Sequence, residues 1–188
     1  MGLSRSVIDV SPLRTSAPFR RLWAGQTLSG LGGQMTLVAV MFQVWDATRS
    51  TVWTGAVGLA QAVPLVALGL FAGALVDRVD RRTVYLVTIT GQTVCAVLLA
   101  VQAVLEPAPV ALVLALVALE SCCSAAGGPA SRTFVPELLP EHQVAAGLAL
   151  RRISFQGAML LGPALGGLLV GAWGTGACYA IDALTFAA

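Results

Sequence analysis

Ten of the eleven arginines in this chain lie on one side of a series of long apolar stretches, and Arg49 alone lies on the other. No local motif constrains folding as strongly. The pattern requires the chain to cross a bilayer repeatedly while its cationic connections stay on one face. Arg5, Arg14, Arg20 and Arg21 precede the first stretch, and Arg78, Arg81 and Arg82 separate the second from the third. Arg132, Arg151 and Arg152 fall at the junction of the fourth and fifth. By the positive-inside rule the amino terminus is expected in the cytoplasm and the chain in a cytoplasmic (inner) membrane, crossing it several times.

Composition agrees. Hydrophobic residues make up 57% of the 188 and charged ones 11%, which leaves too little polar surface to cover a water-soluble globule. The net charge of +2 comes from arginines that flank apolar segments, with no basic cluster interleaved with aromatics, so nucleic acid is not an expected partner. Cys95, Cys122, Cys123 and Cys178 all fall inside apolar stretches and read as small core hydrophobes. The single histidine, His142, lies in a polar connection, and no ligand spacing points to a metal or a cofactor. The first stretch is too long for a signal-peptide core and no small-residue cleavage site follows it, so it reads as an uncleaved anchor.

The apolar runs predict an all-α membrane protein, a six-helix bundle. Residues 1–18 form a mobile cytoplasmic leader, and residues 19–188 the bundle. Its helices run from about Phe19 to Trp45, Val52 to Val76, Thr83 to Leu105, Val110 to Ala130, Val144 to Trp173, and Ala177 to Ala188. The sixth is truncated, too short to cross. Residues 132–143 read as a polar cytoplasmic connection. Short loops make successive helices antiparallel neighbours, and the runs are too long for barrel strands. The strings "QAVPLVALGLFAG" from Gln61 and "QGAMLLGPALGG" from Gln156 suggest a weak repeat relating the second and fifth helices, as in a three-plus-three inverted repeat.

Two strings stand out. "GALVDRVDRR", Gly73 to Arg82, ends the second helix with a small residue, a carboxylate at Asp77 and three arginines. It reads either as a charged stop that anchors the span or as a pairing element for a neighbouring helix end. "GPALGG", Gly162 to Gly167, combines a proline that removes a helix hydrogen bond with glycines that bare the backbone, a kinked close-packing face.

The first string resembles the signature of the major facilitator superfamily between its second and third helices, G-x-x-x-D-R-x-G-R-R. Gly73, Asp77, Arg78, Arg81 and Arg82 match, and Asp80 stands where the family often has Gly. The second resembles that family's antiporter signature through Gly162, Pro163, Gly166 and Gly167, with Ala158 in place of its first Gly. "FRRLWAGQTLSGLG" and "YAIDALTF" extend the resemblance from about Phe19 to the end, and the branch of enterobactin and macrolide exporters is the most similar. The resemblance implies the N-terminal half of a twelve-helix secondary transporter, working with a C-terminal half or a second copy. It would export a small amphipathic substrate by alternating access, with the loop after the second helix as a cytoplasmic latch. An importer or uniporter of the same fold, or a half that is inactive without its partner, are the alternatives. An enzyme is not expected, since no nucleophile lies beside a base.

The fourth helix has no counterpart to the arginine of many proton-coupled antiporters and carries Glu120 instead. An ionisable group in hydrocarbon is expensive unless it faces a cavity or a partner, so Glu120 is the first candidate for proton coupling and Asp182 the second. Each could instead be a hydrogen-bonded structural acid. Gln26, Ser29, Gly33 and Thr36 recur at helical spacing on the first helix, and Ser124 follows Glu120 on the fourth. With Gln61 and Gln92 these are the candidates to line a cavity; interhelical packing is the competing reading.

Overall fold

Apolar runs of this length can satisfy their backbone in lipid only as helices, and every regular element among the described residues of a computed structural model is an α-helix. The structure describes residues 9–76, 80–105 and 109–186, without the side chains of residues 70–76, 81, 129, 130, 132 and 133. In chain order the helices are α1 (Ser11–Thr15), α2 (Ala17–Thr48), α3 (Thr51–Val76), α4 (Arg81–Leu105), α5 (Val110–Leu138), α6 (Glu141–Trp173) and α7 (Thr175–Phe186). Five of them, α2 to α6, are long and apolar enough to cross a membrane, and the chain is a membrane protein.

Two features differ from the sequence reading. Within the leader, residues 11–15 form a short helix packed on the bundle: Pro12 is buried, and the Thr15 hydroxyl donates to Gln143 Oε1 at 2.8 Å. The polar connection expected over residues 132–143 contracts to Leu139 and Pro140, because α5 continues to Leu138. Burial explains the extension. Val135 and Leu139 pack with Phe19 and Leu150 in a small apolar cluster, so this end of α5 has a core of its own to enter. The helix then stops before Pro140, whose ring forces Leu139 into extended backbone (φ −127°, ψ 143°).

Ser16 joins two helix ends at this point. Its Oγ accepts the Phe19 amide at 3.3 Å as the N-cap of α2 and donates to the Leu138 carbonyl, at the end of α5, at 3.1 Å. One hydroxyl thus satisfies an orphan donor and an orphan acceptor.

The principal helix pairs are α3 with α5, α2 with α6, α4 with α5, α2 with α7, and α4 with α7. Exchanging α2 with α5, α3 with α6 and α4 with α7 maps this set onto itself. Along α2 the order is Phe19 in the small cluster, then a polar stretch, then Met35, Ala39, Val40 and Val44 in the larger core. Along α5 the order is reversed, from Val113 and Val117 in the larger core to Val135 and Leu139. The larger core therefore fills the half of the bundle remote from the ten clustered arginines. A polar knot closes it: Gln43 and Gln102 exchange amide hydrogen bonds at 2.9 and 3.1 Å, and the Tyr179 hydroxyl donates to Gln43 Oε1 at 2.7 Å.

Candidate functional site

Between the two apolar clusters lies a cavity of about 790 Å³. Its wall comes from the N-terminal halves of α2 and α4, the middle of α3, α5 from Val117 to Ser131, and parts of α6 and α7. The α2, α4 and α6 segments lie toward the arginine-bearing end.

Six of the seven cavity candidates line it: Gln26, Ser29, Gly33, Gln61, Gln92 and Ser124. The seventh, Thr36, does not. It is buried one turn deeper, where its hydroxyl donates to Asp182 Oδ2 at 2.8 Å. The stripe on α2 borders the cavity up to the point where the bundle closes, and beyond it the same face of α2 meets α7.

The two acidic candidates occupy different environments. Asp182 is fully buried between α2 and α7 and sealed off from the cavity. Among the described residues its other carboxyl oxygen finds no hydrogen-bond donor, and it lies against Gly32, where a Cβ would collide with it. Only glycine lets α7 bring a carboxyl group this close to α2. Glu120, by contrast, is half-buried and on the cavity wall. Its carboxylate takes up no hydrogen bond or ion pair among the described residues. A carboxylate within a membrane span, open to a cavity and unpaired, is the arrangement expected of a group that meets a ligand or a proton.

Other wall residues escaped the sequence reading. Arg21 and Arg151 are, with Glu120, the charged groups of the described wall, and Trp23, Tyr85 and Phe155 give it aromatic surface. The Arg151 guanidinium turns to α5, with Nη1 donating to the Ser131 carbonyl at 3.1 Å and Nη2 to the Ser131 hydroxyl at 3.2 Å, a two-pronged fit that a planar fork favours. The α4 contribution, Tyr85, Thr88, Ile89 and Gln92, recurs at i, i+3, i+4 and i+7, a signal the sequence did contain. Tyr85 also meets Phe134 of α5 edge to face, with ring centroids 5.3 Å apart.

Of the α6 motif, Gly162 and Gly166 face α2: a Cβ at Gly166 would lie 3.0 Å from Met35 Cα and 3.2 Å from Met35 O. Pro163 and Gly167 point away and are exposed, and nothing stands within 4 Å of a Cβ at Gly167. Of the loop motif, Gly73 lies in α3, Arg81 begins α4 and Arg82 is exposed, whereas Asp77 and Arg78 lie outside the described residues. Asp80 caps α4, accepting the Thr83 amide at 3.1 Å and the Thr83 hydroxyl at 2.9 Å. These bonds hold its carboxyl below the ordinary aspartate value. Among the described residues no group of three or more potential ligands is placed to hold a metal ion.

A family profile described as transmembrane secretion effector matches residues 8–188. The chain is 28% identical to the uncharacterised MFS-type transporter YfiS of Bacillus subtilis over 166 residues, 88% of this chain and 39% of that protein. It is 29% identical to macrolide efflux protein A of Streptococcus pyogenes over 170 residues, 88% of this chain and 41% of the other. With the multidrug efflux pump Tap of Mycobacterium tuberculosis the identity is 31% over 176 residues, 86% and 41% of the two chains. The chain thus spans about two fifths of the length of the curated relatives it matches.

Proposed function

The chain belongs to the transmembrane secretion effector family, within the major facilitator superfamily of transporters, and on that premise we propose that it forms the N-terminal bundle of an exporter of small amphipathic molecules such as drugs or siderophores. Residues 1–18 lead in from the cytoplasm, and residues 19–188 form a bundle in the inner membrane. It rocks against a second bundle, a C-terminal half or another copy, around the cavity. The length of the relatives supports the second bundle, and the names of two of them support export. The exchange symmetry of the helix pairs supports a three-plus-three repeat. Asp77, Arg78, Arg81 and Arg82 serve as the cytoplasmic latch between bundles.

The observation that carries the proposal is Glu120, without a partner among the described residues, on the wall of a cavity that also offers the Gln26, Gln61 and Gln92 amides and aromatic rings. Glu120 exchanges a proton for a basic or polar group of the substrate, which couples export to the proton gradient. Asp182, closed off behind Gly32, serves the packing of α7.

Inside-out vesicles containing the complete protein test this. A cationic amphiphilic dye should accumulate when the lumen is made acidic, and Glu120→Gln should abolish the dependence on the gradient while the protein still inserts. Dye movement indifferent to the gradient in the unaltered protein would refute coupled export and leave a uniporter of the same fold.

A further inference from the structure

Ser121 follows Glu120 on α5, and its hydroxyl donates to the backbone carbonyl of Gln61 on α3 at 2.6 Å. Gln61 lies three residues before Pro64, which is inside α3. A proline within a helix has no amide to give the carbonyl four residues back, and its ring pushes the chain open on that side. In α3 the carbonyl deprived of its partner belongs to Ala60, and Gln61 is the next residue along that turn. Polar side chains of neighbouring helices commonly satisfy the backbone around such a break within a membrane.

We infer that Ser121 is a positioning residue, which fastens α3 to α5 beside Pro64 and so sets the distance between the Gln61 wall of the cavity and Glu120. Three observations converge on this. Ser121, Gln61 and Glu120 all line the cavity; the fastener and the carboxylate are consecutive on one helix; and the atom held is a main-chain atom, so α3 itself is held in place and not merely one rotamer of a side chain. A displacement of α5 at Glu120 is therefore passed directly to the α3 wall.

The inference rests on the cavity being the transport path, and its test has one readout independent of transport. In the full-length protein, Ser121→Ala should speed amide hydrogen exchange in the peptide covering residues 58–66 several-fold, and Ser121→Thr, which keeps a hydroxyl, should restore slow exchange. In vesicles, Ser121→Ala should raise the KM for the dye by roughly 3-fold to 10-fold with little change in maximal rate, consistent with the loss of one hydrogen bond of about 1 kcal/mol, and Ser121→Thr should return KM to within about 2-fold. Unchanged exchange in Ser121→Ala would overturn the fastening. Faster exchange with an unaltered KM would overturn the positioning role. If the unaltered protein moves no dye, the exchange result still decides the fastening while the transport reading fails separately.

Discussion

Replacing Gly166 by Ala puts a methyl group 3.0 Å from Met35 Cα and 3.2 Å from Met35 O. Both atoms are main chain in the middle of α2, so no side chain can swing aside, and the α2–α6 contact must open by a few tenths of an ångström. Overpacking of this kind costs about 1–3 kcal/mol. Gly167→Ala supplies the control, because a Cβ there meets nothing within 4 Å. Whatever Ala contributes over Gly to the helix itself, up to ~1 kcal/mol in water, is common to the two neighbours and cancels in their difference. The folded-to-unfolded ratio of Gly166→Ala should therefore fall short of that of Gly167→Ala by about 5-fold to 150-fold. Reversible unfolding of this chain in a mild detergent, followed by tryptophan fluorescence, measures the difference. Equal stability of the two variants would refute the claim that Gly166 is the seat of the α2–α6 crossing.

Asp182→Asn should cost less than ~1 kcal/mol, since a neutral isostere keeps the Thr36 bond, whereas Thr36→Val should cost about 1–3 kcal/mol by leaving a fully buried carboxyl group without a donor; the same detergent unfolding compares them, and a larger loss for the Asn variant would contradict the assignment. With its carboxyl group depressed by the Thr83 bonds, Asp80 contributes stability that is fully present above the unfolded aspartate value near 3.8 and is lost as pH falls through the lower folded value. Asp80→Asn should keep a cap and remove that acid sensitivity, while Asp80→Ala should lose both, as read by helicity of the α4 end against pH; an unchanged pH profile in Asp80→Asn would refute the cap.

Much of the fold was legible because lipid leaves a chain few choices. The arginine asymmetry and the length of the apolar runs are sums over many residues, so no local ambiguity disturbs them. The cavity was legible where a periodic polar stripe survived, as at Gln26, Ser29 and Gly33. It became illegible at Thr36, since the sequence does not reveal the depth at which a neighbouring helix closes over a face. Arg151 shows the same limit. A flanking arginine looks alike whether it reaches out to headgroups or in to Ser131, and only the position of α5 decides. The extension of α5 past Ala130 was hidden by its prolines and charges, which look like a connection until Phe19 is seen supplying the apolar partner from the far end of the sequence.

The knot of Gln43, Gln102 and Tyr179 ties three helices together with three hydrogen bonds. The two amides bond each other twice, which joins α2 to α4, and the phenol of Tyr179 joins α7 to the same Gln43 Oε1. Tyr179→Phe would cut α7 out of the knot and leave the amide pair intact. A single phenol thus enrols α7 in the seal opposite the arginine-bearing end.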